Sequence, residues 1–498
     1  MFELLGLVQS MKNDSAPISK IPPEVFSIIP EYFGGDDEDE DEDEDLITMT
    51  HVCRGWRELL ITRPSLWTHL HCKNIDRTRV YIERSKSAPL ELSLFDAGRT
   101  GYLKNAFLLA VPHVSRIKSL DIDTAGNLLQ NLTPHLSCPA PLLSELTITY
   151  SGDPIHVLDT TLFNGNLPSL SSLSLWGVIT HLPWKNLPNL TTFKLYHVPE
   201  GKTSVTQLLN FFEGAHYLRD IALASSMPTS DAPPGRVVSL PHLKKLYIYP
   251  SPVHSILLNH LCIPAGASLT LGFDFAGDES PVPEFLPKTL ENLGNVFPSS
   301  SVNLLLDKFH KCVRLSGPNG GLFMFFHWIE EWQEEAVFTL DRRVLRSLSR
   351  FDLSGTQSLM VTQYKSPTLG TVEESAPYYI LSRMKDLQTL TLSQCNNLPF
   401  ILALNPDQSS SKSALCPKLE EVVLYVEGLE SFNIKELVSM AKERASAGKK
   451  LSSITVVALS KLVPRKNVFG LKEHVTRVDY RIGEKPPRWN GVPGDEDD

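Results

Sequence analysis

Apolar residues at positions n, n+3 and n+5 recur along most of this chain, and that pattern restricts its fold more than any other feature. It stands at Ile117/Leu120/Ile122, Leu143/Leu146/Ile148, Leu170/Leu173/Leu175, Leu190/Phe193/Leu195, Leu218/Ile221/Leu223 and Leu243/Leu246/Ile248, with starts 26, 27, 20, 28 and 25 residues apart. After a less regular stretch it returns at Leu348/Phe351/Leu353, Leu387/Leu390/Leu392, Leu419/Val422/Leu424 and Leu451/Ile454/Val456, in steps of 39, 32 and 32. In five of these ten copies a proline stands two places before n. Within each copy the alternation is that of a half-buried strand. A unit so short cannot bury its apolar face alone and must stack on its neighbours. Some spacers carry helices: Val205, Leu208, Leu209 and Phe212 share one helical face, with Ser204 as N-cap and Gly214 to end it. Ile434, Leu437, Val438 and Ala441 do the same between Asn433 and Gly448. The expected unit is strand, turn, helix, turn.

An L-x-x-L-x-L core at this spacing is the signature of a leucine-rich repeat, each unit giving one strand to a parallel sheet. The copies are degenerate, since Val178, Val198 and Ser251 stand where Asn or Cys is expected at n+8 and only Cys395 fits. The expected fold class is thus α+β to α/β, with an irregular repeat solenoid over residues 73–482 and a curved parallel sheet. Residues 262–345 are the least regular part. There Leu269/Leu271, Leu304/Leu306 and Val337/Phe338/Leu340 are candidate irregular strands, and the apolar run Leu322–Trp332 places Trp328 and Trp332 one helical turn apart as packing residues.

Before the repeats the chain has a different character. Ile47, Val52, Trp56, Leu59 and Leu60 fall at helical spacing until Arg63-Pro64 breaks the run ahead of Leu66 and Trp67. Upstream lies Ile21-Pro22-Pro23-Glu24-Val25-Phe26-Ser27-Ile28-Ile29, with two prolines at a helix start. Pro30 is expected to stop or kink that helix at Ile29, at a cost of about 3 kcal/mol if it continued. Together, Ile21-Pro22-x-Glu24-Val25, Val52-Cys53-Arg54-x-Trp56-Arg57 and Leu66-Trp67 resemble the F-box over about a tenth of the chain, residues 19–72. The resemblance is to divergent fungal F-box proteins. It implies a Skp adaptor as partner, a cullin through it, and adaptor contacts from Pro22, Glu24, Val25, Ile28, Ile29, Val52, Arg54, Trp56, Leu59, Leu66 and Trp67. It further implies a non-catalytic receptor that holds a target protein for an SCF-type ubiquitin ligase, or else an F-box scaffold acting without ubiquitylation. A cytoplasmic or nuclear location follows from that resemblance.

Charge is concentrated outside these elements. Asp36–Asp45 supplies ten acids and the last four residues four more, so 57 − 14 = 43 acids face 47 Lys and Arg, and the formal −10 becomes about +4 for the rest. No basic stripe stands out, so neither nucleic acid nor membrane is expected as a partner. The acidic run is expected to stay solvated and disordered, as are a leader over 1–18 and a tail over 483–498. Seven cysteines without a C-x-x-C pair fit a reducing compartment. The opening residues lack a basic n-region, and no apolar run is long enough to span a bilayer. The sequons at Asn131 and Asn189 are then expected to be unused.

Catalytic signatures are absent: the sequence has no G-x-S-x-G, H-E-x-x-H, phosphate-binding loop or dinucleotide fingerprint. His69-x-His71-Cys72 lacks a second ligand pair, so no metal and no cofactor are expected. What remains is the second face of the sheet. If the pattern leucines point inward, alternation turns Trp176, Lys194, Tyr196, Lys245, Tyr247 and Tyr249 onto the opposite, exposed face. Aromatic rings beside lysines on an open sheet are the expected target-binding surface, because aromatics dominate interface hot spots.

Overall fold

Where a proline stands two places before n, it belongs to a tight turn that launches the strand. In the computed structural model of the protein, the N–H of Leu143 donates to the carbonyl of Ala140, Leu170 to Leu167, Leu190 to Leu187, Leu243 to Leu240 and Leu419 to Cys416, all at 3.1–3.2 Å. Residue n is therefore the last of a four-residue turn and the proline its second, a position that its fixed φ suits. The structure describes residues 11–29 (except 14 and 27), 42–95, 100–152, 156–158, 162–165, 167–180, 187–198, 202–225, 228–249, 254–275, 286–287, 290–294, 299–306, 310–317, 320–328, 348–363, 375–395, 397–405, 415–426, 433–459 and 465–484. It is a mixed α/β protein whose contacts divide it into two compact units, Met1–Val198 and Pro199–Asp498.

The first unit begins with α-helices at Pro23–Phe26 (α1), Glu42–Val52 (α2), Arg54–Ile61 (α3), Ile75–Ser85 (α4) and Thr100–Ala110 (α5). Asn74 caps α4, its side-chain oxygen accepting from the N–H groups of Asp76 and Arg77. Six strands, His69–Leu70 (β1), Leu90–Phe95 (β2), Ile117–Thr124 (β3), Glu145–Tyr150 (β4), Ser172–Trp176 (β5) and Thr192–Tyr196 (β6), pair in parallel in chain order. Leu92, Leu120, Leu146, Leu173 and Phe193 lie side by side in register and are buried, as are Leu94, Ile122, Ile148, Leu175 and Leu195. Hydroxyls one place after n tie each copy to the one before: Ser144 donates to the Lys118 carbonyl at 3.1 Å, Ser171 to Ser144 at 2.9 Å and Thr191 to Ser171 at 3.0 Å. This short-range ladder links copies in which Val178 and Val198 are buried core residues.

Among the described residues the main sheet of the second unit holds eleven strands: Asp220–Ala224 (β7), Lys245–Tyr249 (β8), Ser268–Phe275 (β9), Ser301–Leu306 (β10), His310–Ser316 (β11), Gly321–Trp328 (β12), Ser358–Gln363 (β13), Thr389–Ser393 (β14), Glu421–Val426 (β15), Ser453–Ala458 (β16) and Arg477–Ile482 (β17). They lie side by side as β7-β8-β9-β12-β11-β10-β13-β14-β15-β16-β17, parallel except that β11 is antiparallel to both its neighbours. Helix α6, Val205–Gly214, starts on a capping box in which Ser204 and Gln207 satisfy each other's backbone N–H. Helix α7 spans Ile434–Ser446, and its fully buried Arg444 donates to the carbonyls of Leu415 and Cys416, both at 2.9 Å.

Several expectations need correction. The sheet of the second unit is not wholly parallel, because β10, β11 and β12 are joined by connections too short for a parallel crossover. Leu322–Trp328 is strand and not helix, while Trp332 and residues 337–340 lie outside the described residues. Leu348, Phe351 and Leu353 are buried but precede the strand; the copy starts at Thr356, whose N–H closes the turn on Leu353 at 3.1 Å, with Leu359 and Val361 as its core pair. A polar residue at n hid it. A last copy, Val475/Val478/Tyr480, falls on β17 and escaped the pattern search because of its tyrosine. The expected disorder of 36–45 fails at Glu42–Asp45, which are the first residues of α2. Residues 36–41 lie outside the described ones. Within the expected leader, 11–13 are helical and Pro17–Lys20 is a 3-10 turn.

Candidate functional site

Two surfaces carry the residues singled out in the sequence. The first is the helical module, whose core is Phe26, Met49 and Leu60 with Ile21, Ile29, Leu46, Trp56, Leu59 and Leu66 packed half-buried against it. The ring of Trp56 meets that of Phe26 at 4.5 Å. Helix α1 stops at Phe26, earlier than Pro30 requires. Val52 and Arg54 do not share a helix: Cys53 is extended (φ −157°, ψ 167°), ends α2 and caps α3, its sulfur accepting from the Trp56 N–H at 3.5 Å.

Of the residues expected from the sequence to contact an adaptor, Pro22, Glu24 and Arg54 are exposed, and Arg54 spends its charge on Glu58 at 3.1 Å, an exposed pair of little energetic weight. Val25, Ile28 and Val52 are large apolar side chains left 51%, 45% and 54% exposed. Trp67 is the exception. It is fully buried, its Nε1–H donates to the Leu60 carbonyl at 2.9 Å, Tyr81 meets it edge-on at 5.0 Å and the Arg84 guanidinium lies 4.2 Å over its ring. Trp67 therefore staples α3 to α4 and offers nothing to a partner.

The second surface is the sheet face opposite the leucine core. In the first unit it is open. The register places Ser93, Asp121, Thr147, Ser174 and Lys194 in one row and Phe95, Asp123, Thr149, Trp176 and Tyr196 in the next. Phe95 and Trp176 are 56% and 39% exposed, Lys194 is exposed and Tyr196 half-buried. The Trp176 ring lies 5.2 Å from that of Tyr196 and 4.3 Å from that of His197. Partial removal from water holds the carboxyls of Asp121 and Asp123 above the usual aspartate range, and for Asp121 the neighbouring Asp123 adds to it. Phe95, Asp121 and Asp123 were missed in the sequence although the same alternation, applied to β2 and β3, exposes them.

The corresponding face of the second unit is closed, which corrects the expectation for two of its three residues. Lys245 is exposed, but Tyr247 and Tyr249 are half-buried and pack on a second apolar cluster of Leu305, Cys312, Phe323 and Phe325. Tyr249 stacks on Phe325 at 5.2 Å, Phe325 on Phe323 at 5.8 Å, and the Arg314 guanidinium lies 5.1 Å over Phe323. Gly272, between Tyr249 and Phe325, makes this stack possible, since a Cβ there would collide with both rings.

Among the described residues no group of three or more His, Cys, Asp or Glu could hold a metal ion. His69 Nδ1 lies 3.3 Å from Glu91, and burial pushes the Cys72 thiol up to about 12, so it stays protonated and is a poor ligand. None of the seven cysteines forms a disulfide, and burial also pushes the thiols of Cys395 and Cys416 up to about 12. Among the described residues no helix is long and apolar enough to cross a membrane. Compared with protein-family models and with curated proteins, the sequence matches none.

Proposed function

We propose that the protein is the substrate-recognition subunit of an SCF-type ubiquitin ligase, a helical F-box module docking the Skp adaptor and a leucine-rich-repeat solenoid holding a target protein. The observation that carries this reading is the exposure of Val25, Ile28 and Val52 around a module whose core is already filled by Phe26, Met49 and Leu60. Covering a large aliphatic side chain is worth about 1.5–3 kcal/mol, so three of them give a partner a substantial apolar anchor. The chain does no chemistry in this scheme. It raises the effective concentration of the target's lysines near a ubiquitin-loaded enzyme held by the cullin.

Co-purification of the full chain with the adaptor and a cullin is the expected result. Adaptor without cullin would favour a scaffold acting without ubiquitylation. Replacing Trp56 and Leu66 by Ala probes folding as well as docking, because both pack on the module core. Val25→Asp with Val52→Asp probes docking alone, since both side chains already face water. That pair is expected to weaken adaptor binding at least roughly tenfold while the melting temperature holds. Undiminished pull-down would remove the F-box assignment.

A further inference from the structure

The open face of the first unit is electrically lopsided. Among the described residues the carboxylates of Asp121 and Asp123 have no ion-pair or hydrogen-bond partner, whereas Glu91 on the same face is paired with Lys118 at 3.0 Å and with His69 at 3.3 Å. The positive charge of Lys194 stands on β6, three strand positions away from Asp121 along its row. Between them lie only the short side chains of Thr147 and Ser174. In the next row Asp123 and Trp176 are two strands apart, about 10 Å at the usual spacing, with Thr149 between them. The floor is thus small and acidic, and an exposed aromatic ring forms one wall.

We propose that this face recognises an arginine in an extended segment of a partner protein, its guanidinium lying against the Trp176 ring and donating to the carboxylates of Asp121 and Asp123. Guanidinium suits both halves of the site at once, because its planar face stacks on an indole while its fork of N–H groups pairs with a carboxylate. An ammonium would satisfy the carboxylates but gain less from the ring. Two neighbouring carboxylates without a cation gain from one that arrives. The inference rests on reading this face as the target-binding surface and is independent of adaptor docking.

The test is fluorescence polarisation of the full chain against labelled short peptides of repeating Gly-Ser-Arg, with citrulline in place of arginine and lysine in place of arginine as the two comparisons. Because the acidic run attracts any cation, the measurements are repeated with residues 36–41, which precede α2, replaced by Gly-Ser. Arginine is expected to outbind citrulline and lysine in both forms of the chain. Asp121→Asn with Asp123→Asn is expected to weaken arginine binding roughly tenfold or more, and Trp176→Ala roughly threefold to tenfold. Both variants should retain the parent's melting temperature to within a few degrees, which keeps loss of binding separate from loss of fold. Equal binding of citrulline or lysine peptides, or unchanged binding by the Asn variant, overturns the inference. If adaptor binding fails while arginine selectivity persists, only the ligase reading falls; if adaptor binding holds and selectivity is absent, only this inference does.

Discussion

The two units put the same strand alternation to opposite uses. In the first, the face away from the leucine core carries Asp121, Asp123, Thr147, Thr149, Ser174 and Trp176 and stays open; in the second, the equivalent face carries Tyr249, Phe323, Phe325, Cys312 and Leu305 and is closed into a second apolar layer. The difference lies in who sits beside whom. Trp176 has Thr149 on one side and Tyr196 on the other, while Tyr249 reaches Phe325 across a glycine. An aromatic residue on a sheet face is thus left exposed or drawn into a core according to its neighbours in register.

The contrast breaks most visibly under truncation of the rings. Phe325→Ala is expected to cost about 3–5 kcal/mol of stability, as for a buried aromatic, and Trp176→Ala less than about 1 kcal/mol. Denaturant melts of the two variants side by side measure both, and similar losses would mean that the first unit's face is also core. A smaller effect comes from filling the gap that lets the rings stack. Gly272→Ala is expected to destabilise by about 1–3 kcal/mol, because the added Cβ meets Tyr249 and Phe325 and the strand backbone holds it there. Near-UV circular dichroism should then lose part of the aromatic signal while far-UV signal persists.

The smallest effect concerns charge. Folding raises the pKa of Asp121 and Asp123 above the ordinary 3.8, so the folded chain binds these protons more tightly than the unfolded chain does. Their ionised forms therefore cost stability above the folded pKa, and the cost disappears below 3.8. Asp121→Asn with Asp123→Asn is expected to raise the melting temperature by about 1 °C at neutral pH, with the gain shrinking as the pH falls towards 3.8. A loss at neutral pH, followed by melting, would instead mean that a cation partner stabilises these carboxylates within the fold.

Much of this was legible in the chain itself. The n, n+3, n+5 spacing located β3 to β8 and β14 to β16, prolines located the turns before β4, β5, β6, β8 and β15, and Ser204 and Asn433 located helix starts, because each signal acts over a few residues. Signals failed where a single position departed from type, as with Thr356 at n, or where a local break outweighed an apolar period, as with Cys53 between two helices.

By itself the sequence determined where strands begin and which side chains alternate, since pleating and turn chemistry are properties of adjacent residues. Only the tertiary structure decided the strand order β9-β12-β11-β10-β13, the burial of Trp67 under Tyr81 and Arg84, and which of the two sheet faces stays open. Those outcomes depend on residues 10 to 60 positions apart meeting at contact distance. A period of two names two faces of a strand but carries no information about what lies over the second.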